Sequence, residues 1–168
     1  TLIARISAAH PKIADYPFTT LQPNLGVVSM DEFDSFMMAD IPGLIEGAHL
    51  GHGLGTRFLR HIERTRLLVH LIDMSGLRQS DPLDDYRVII EELASFSAGL
   101  ARKPMVIAAS KIDALQDSTQ ADRLEGFCDQ EGLPFFRISA VTGEGIEKLK
   151  YYLGSRVREA RESAVGAK

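Results

Sequence analysis

The chain has a single cysteine, Cys128, so no internal disulfide can staple it, which agrees with a reducing compartment. It has no apolar run approaching the roughly 18 residues that a spanning helix requires. Its opening residues, TLIARISAAH, lack the apolar block and small-residue cleavage pattern of an export signal. It also lacks a dominant charge. Nineteen Lys and Arg residues stand against 23 Asp and Glu, a net charge of -4, so binding to nucleic acid by bulk electrostatics is not indicated. No internal repeat or long linker interrupts the chain. A cytoplasmic protein with no membrane partner is the expectation.

What is present suits one ordinary globular domain: 168 residues, 45% hydrophobic and 25% charged. Residues 1–9 carry Leu2, Ile3 and Ile6 at helical spacing and stop at Pro11. This opening inside a helix, without a capping residue or preceding strand, reads as a truncated start. Residues 12–24 read as a polar loop around DYPFTTL. Strands are expected at 25–30 and from Ser35 through Ala39 into Asp40. The following IPGLIEGAHLGHGLG carries five glycines and a proline and should be irregular. Helical spacing returns at TRFLRHIERT, with Phe58, Leu59 and Ile62 on one face.

Three further runs have strand character: LLVHLID at 67–73, MVIAAS at 105–110 and PFFRIS at 134–139. Helices are expected at 82–97, 119–131 and 145–162, and SAVGAK at 163–168 reads as a tail or spacer. Uniformly apolar strands separated by helices predict an α/β fold, a mainly parallel sheet with helices on both faces.

In such sheets ligands sit beyond the carboxyl ends of the strands, and three signals fall there. Asp40-Ile41-Pro42-Gly43 follows the SFMMA strand. Its aspartate can hold a magnesium ion through water, and its glycine can offer a backbone N–H to a γ-phosphate. A turn capped by Asp40 is the competing reading. Ser110-Lys111-Ile112-Asp113 follows MVIAA. Asp113 can accept two N–H groups from guanine while the Lys111 stem packs over the ring; the alternative is a surface ion-paired turn. Ser139 and Ala140 follow PFFRI, before the turn glycines 143 and 145, and backbone amides here can donate to the guanine O6. Upstream, Thr19 and Thr20 lie in a loop that can complete a magnesium and γ-phosphate shell, although loop threonines are commonly inert. Each signal is weak or moderate alone, and their order along the chain gives them weight.

These residues carry a resemblance. KIADYPFTTLQPNLGVV (12–28), ADIPGLIEGAHLGHGLGTRFLRHIERTR (39–66), LLVHLID, SKID and SA together resemble the Obg family of GTPases over essentially the whole chain. The resemblance implies a P-loop GTPase fold, here a domain over 1–162 without its first strand and phosphate loop. It implies GTP hydrolysis with magnesium, a role in assembling the large ribosomal subunit with its RNA as partner, and a glycine-rich domain preceding this one in cis. Carried over by position, Thr20 is the magnesium ligand of the first switch, with Phe18, Thr19, Leu21 and Gln22 on the nucleotide side. Asp40 belongs to the magnesium shell, Ile41, Pro42 and Gly43 to the phosphate side, and Ser110, Lys111, Ile112, Asp113, Ser139, Ala140 and Val141 to the guanine side. Thr19, Thr20 and Gly43 are the groups nearest the chemistry.

Two departures qualify the match. The phosphate loop G-x-P-N-x-G-K-S, expected immediately before Thr1, is absent, which would remove most phosphate affinity and leave a sheet position unfilled. Ser110 stands where the family usually has Asn and reaches less far. Leu44 occupies the place where many small GTPases have a water-orienting glutamine. Catalysis would then depend on backbone groups, Thr19 or Thr20, magnesium, and a monovalent cation or partner surface, and should be slow.

Other groups receive plainer readings. His49 and His52 belong to a glycine-rich loop with no third metal ligand. His61 and His70 read as helix-surface and strand-packing residues, and Cys128 as a partly buried helix residue. Glu46 has no supported role as a base. Arg57, Arg60, Arg64 and Arg66 form a basic cluster, read first as a solvated helix face and second as a contact for RNA phosphates. Competing functions are a non-hydrolysing guanine-nucleotide sensor and a pseudo-GTPase interaction module. An adenine-specific ATPase fits the Lys111 and Asp113 pair poorly.

Overall fold

A computed structural model of the chain describes residues 2–7, 12–13, 24–31, 34–40, 62–76 and 80–166. Its elements are α1 (Leu2–Ile6), β1 (Lys12–Ile13), β2 (Asn24–Ser29), β3 (Ser35–Asp40), β4 (Leu68–Asp73), α2 (Pro82–Phe96), α3 (Ala98–Ala101), β5 (Met105–Ser110), α4 (Thr119–Glu131), β6 (Phe135–Arg137) and α5 (Ile146–Gly166). A short 3-10 turn, Ile112–Ala114, follows β5.

Strands β4, β5 and β6 form the expected parallel sheet, with Leu68 opposite Met105 and Ile107 opposite Phe135. β5 is its centre, buried from Met105 through Ala109, because a strand covered on both faces needs apolar residues at consecutive positions. Met105, Ile107 and Ala109 face one core with Leu93, Leu124 and Cys128 from α2 and α4. Val106 and Ala108 face a second core with Leu149 and Leu153 of α5, Ile6 of α1, and Val28 and Phe36. Helices therefore cover both faces, as expected from the pattern. Each fully buried Leu or Ile contributes about 1.5–3 kcal/mol relative to exposure. Cys128 is a correction: it is fully buried rather than partly buried, packed as a small hydrophobe on the inner face of α4.

The sheet departs from the expectation at the other end. β1, β2 and β3 form an antiparallel three-stranded sheet, with Leu25 opposite Ala39 and Val28 opposite Phe36. The connection explains this. The turn between β2 and β3 is too short for a parallel crossover, and Asp31 closes it by accepting the Asp34 N–H at 2.9 Å. Consequently β2 and β3 alternate: Val28 and Phe36 are buried while Val27 and Met37 are exposed. Lys12–Ile13 pairs with β2, so the stretch read as continuous loop from 12 contains a two-residue strand.

Local chemistry sets the helix limits. Asp81 caps α2 by accepting the Leu83 N–H at 2.9 Å, with Pro82 in the first turn and Asp84 and Asp85 beside the positive helix end. Ser97 ends α2 and its hydroxyl accepts the Gly99 N–H of α3. α4 spans the range its spacing predicts and ends at Gly132 in the left-handed region. α5 extends past the expected 162 to Gly166. It is tied to the β2–β3 turn by Arg158 and Arg161, which both pair with Asp34. The strand read over 134–139 is only Phe135–Arg137: Ile138 still donates to the Ala109 carbonyl, and the chain turns at Ser139, whose N–H donates to the Glu144 carbonyl.

Among the described residues, β3 and β4 each pair with a strand on one side only. Between them lies a cavity of about 850 Å³, lined by Phe36, Met38, Val69 and Leu71 and reaching Asp40 and Lys111. Leu71, within the run read as buried strand, is 41% exposed there.

Candidate functional site

The carboxyl ends of β3, β4, β5 and β6 deliver Asp40, Asp73, Ser110 and the residues after Arg137 to one end of the molecule. In the register of the parallel sheet Asp73 lies opposite Ser110. The two strand ends are joined beyond the ladder. The Met74 N–H donates to the Ser110 carbonyl at 3.0 Å. The Ser110 hydroxyl donates to the Ile72 carbonyl at 3.1 Å, and the Lys111 ammonium donates to Asp73 Oδ2 at 2.6 Å.

Lys111 is the only described non-glycine residue with positive φ, at 59°. This conformation costs a residue with a Cβ about 1–2 kcal/mol and turns the chain sharply out of β5 into Ile112–Ala114. Asp113 lies in that turn, exposed, its carboxylate without a protein partner among the described residues. The Ile112 N–H donates to the Ile138 carbonyl at 3.3 Å, which fastens the β5 loop to the β6 loop.

Ser139 is fully buried and acts as a turn former. Its N–H donates to the Glu144 carbonyl, its carbonyl accepts the Gly143 N–H, and its hydroxyl accepts the Thr142 N–H at 3.0 Å. The Ser139 amide expected to face a base is therefore already committed. The N–H groups of Ala140 and Val141 have no protein partner among the described residues, and Val141 is 78% exposed beside them. The structure thus brings an unpartnered carboxylate, two unpartnered N–H groups and the Lys111 stem onto two loops that are bonded to each other. That set offers acceptors and donors to the edge of a planar heterocycle and a hydrocarbon stem to its face.

Burial raises the Asp73 carboxyl, and the Lys111 ammonium and the Ser75 N–H more than offset it, so Asp73 ionises below the usual carboxylate range. Asp73 was absent from the residues picked by sequence. Its place at the end of an apolar run was visible in the sequence, whereas its position opposite Ser110 is set by the sheet register.

Asp40 closes β3, opposite Asn24. Among the described residues no three His, Cys, Asp or Glu side chains gather as a protein-only metal site would require. A lone carboxylate at a strand end fits magnesium, which is commonly held by one or two carboxylates together with phosphate oxygens and water. Phe18, Thr19, Thr20, Leu21, Gln22, Ile41, Pro42, Gly43, Leu44, Glu46, His49, His52, Arg57, Arg60 and His61 lie outside the described residues. Arg64 and Arg66 are exposed, and Arg66 donates to the Ala160 carbonyl of α5. His70 packs in β4 against the Tyr86 ring, the strand-packing role expected of it. No helix among the described residues is long and apolar enough to cross a membrane.

Over residues 1–111 the chain matches the family model for 50S ribosome-binding GTPases. The chain belongs to that family.

Within it, the Obg resemblance read from the switch and base motifs is shown by close relatives. The GTPase Obg of Solibacter usitatus is 58% identical over 157 residues, 94% of this chain and 47% of the relative. That of Acidobacterium capsulatum is 56% identical over 166 residues, 96% of this chain and 48% of the relative. The chain spans about half the length of these Obg relatives. Among solved structures, the G domain of the Thermotoga maritima FeoB iron transporter matches with a TM-score of 0.66 at 22% identity, covering 93% of this chain and 89% of that one. Aquifex aeolicus Era bound to GDP and AlF4− matches with a TM-score of 0.64 at 20% identity, covering 92% and 51%. At such identities the likeness concerns the fold alone, and it is that of a P-loop GTPase.

Proposed function

We propose that this Obg-family chain reads guanine nucleotides through Asp113, Lys111 and the amides of Ala140 and Val141, and serves a protein that hydrolyses GTP with magnesium. The observation that carries the reading is the pairing of an exposed, unpartnered Asp113 carboxylate with two unpartnered N–H groups on the adjoining loop. Guanine presents two N–H donors and one carbonyl acceptor along one edge, matching this set. The adenine edge offers a donor where the Ala140 and Val141 N–H groups also donate. Ser110 and Ile112 hold the loops rather than touch the base, since their bonds run to Ile72 and Ile138. Ser139 shapes the turn.

On the phosphate side, Asp40 would join the shell of a magnesium ion, which supplies charge neutralisation to the phosphate oxygens. Thr20 would be a second ligand, with Thr19 and Gly43 beside the γ-phosphate. Phe18, Leu21, Gln22, Ile41 and Pro42 would line the same side. Leu44 cannot hydrogen-bond to an attacking water, so intrinsic turnover is slow. The family description supports action on the large ribosomal subunit; a nucleotide switch that contacts its RNA, with a glycine-rich domain in cis, completes the reading.

Calorimetric titration of GTP, GDP and ATP, each with magnesium, against the full-length protein tests the reading. Guanine nucleotides should bind and ATP should not, and Asp113→Ala should weaken GDP at least tenfold, about 1.4 kcal/mol or more. Equal affinity for ATP, or an unaffected Asp113→Ala variant, would remove the assignment. Rapid GTP turnover without ribosomes would remove the claim of slow hydrolysis and leave the binding assignment standing.

A further inference from the structure

The parallel strands β4 and β5 end together, and the chain spends three bonds holding those ends in step: Met74 N–H to the Ser110 carbonyl, Ser110 hydroxyl to the Ile72 carbonyl, and Lys111 ammonium to Asp73. The third differs from the others. The Asp73 side chain is 23% exposed and its Oδ1 already accepts the Ser75 N–H at 2.9 Å, so the carboxylate is fixed by the bend that follows its own strand. The Lys111 side chain is 57% exposed, so more than half of its surface remains open to solvent although its end is anchored. Lysine is among the side chains with the most rotamer entropy to lose, and a free four-carbon stem would sample many directions. Here both ends are held: the backbone by the left-handed turn at φ 59°, the ammonium by Asp73. The result is a hydrocarbon bar laid from the β5 end to the β4 end, in the same cavity lining as Asp113.

We propose that Asp73 is a positioning residue for base recognition, tethering the Lys111 ammonium so that the lysine stem is pre-set as the platform on which the guanine ring lies. The proposal rests on the nucleotide reading above and deepens it. Asp73 touches no part of the nucleotide in this arrangement. It acts by removing the conformational freedom that Lys111 would otherwise lose on binding, the general route by which preorganisation raises affinity. Because the ion pair is partly solvated, its effect is limited to that of a well-formed surface pair, roughly 1 kcal/mol at most, so the expected change in affinity is about fivefold.

The test is a four-member cycle in the full-length protein, read by fluorescence titration with a labelled GDP and magnesium. The members are the parent, Asp73→Asn, Lys111→Met and the double variant. Asp73→Asn should weaken GDP about fivefold, whereas in the Lys111→Met background, where no ammonium remains to be held, the same substitution should change nothing. Asp73→Glu, whose longer carboxylate still reaches the ammonium, should recover most of the loss. Thermal unfolding of each variant is followed in parallel. A loss of affinity of equal size in both backgrounds would mean that Asp73 merely supports the fold, and would overturn the proposal. So would unchanged or tighter GDP binding by Asp73→Asn, the latter showing that Asp73 competes with nucleotide for Lys111. If the parent binds no labelled GDP, the nucleotide reading itself fails and takes the tether with it. If the parent binds and Asp73→Asn binds equally, only the tether fails.

Discussion

Gly145 and Gly132 have nearly the same backbone conformation, with φ of +71° and +67°, and opposite surroundings. A Cβ on Gly132, which ends α4, would meet nothing within 4 Å. A Cβ on Gly145 would overlap the Arg137 backbone carbonyl and stand 3.1 Å from Ile138 Cγ2. Alanine at either site pays the left-handed penalty of about 1–2 kcal/mol, reduced by about 0.4–1 kcal/mol because alanine also restricts the unfolded chain. Gly132→Ala should therefore cost about 1 kcal/mol. Gly145→Ala must in addition displace a backbone atom at the end of β6, which cannot swing aside as a side chain can, and overpacking of this kind costs a further 1–3 kcal/mol or so. The total is about 2–4 kcal/mol, enough to lower the melting temperature by roughly 2–4 °C for each kcal/mol in a domain of this size. Urea unfolding followed by far-ultraviolet circular dichroism measures both variants, and an unchanged slope with denaturant confirms that stability alone has moved. Gly145 also underlies the turn that carries Ala140 and Val141, so the same variant should weaken guanine nucleotides while Gly132→Ala leaves them unaffected. Equal destabilisation by the two variants, within about 0.5 kcal/mol, would refute the reasoning, because the left-handed penalty would then be the whole cost.

His70 is half-buried against Tyr86, its buried Nδ1 has no partner among the described residues, and desolvation lowers its pKa from 6.5 to about 4, only partly offset by Asp85. The unfolded chain thus takes up a proton that the folded one refuses between those values, so stability falls as pH drops from 6.5 towards 4, by up to about 3 kcal/mol. Unfolding measured at pH 7 and pH 4.5 should show a smaller difference in His70→Phe than in the parent; an equal difference would assign the acid sensitivity to carboxylates instead. Ser110→Asn should raise guanine-nucleotide affinity by calorimetry, since asparagine reaches further than the serine hydroxyl now bonded to Ile72. Failure of affinity to rise would show that the short serine link is what the site uses.

The regular elements of the second half were legible from spacing. The helix over 119–131 and the strand over 105–110 occur at the expected residues, because a 3.6-residue apolar period and an unbroken apolar run each permit one way of hiding in a core. SKID and SA were legible as strand-end loops because each follows an apolar run. The family was legible too, since its motifs are local strings. Three features were not. The antiparallel pairing of β2 with β3 follows from turn length and from what each face covers, and an apolar run does not reveal its partner's direction. The commitment of the Ser139 amide to Glu144 arises from the turn after β6, which sets aside the Ala140 and Val141 amides instead.

Asp73 is the clearest case. Thirty-eight positions separate it from Lys111, and nothing in the sequence around either residue names the other. By itself, the sequence determined the α/β class, most of its regular elements and the family. Only the tertiary structure decided which donors and acceptors remain unspent and which charges meet. Hydrophobic periodicity is a property of neighbours along the chain, whereas a hydrogen bond is settled only when distant strands end side by side.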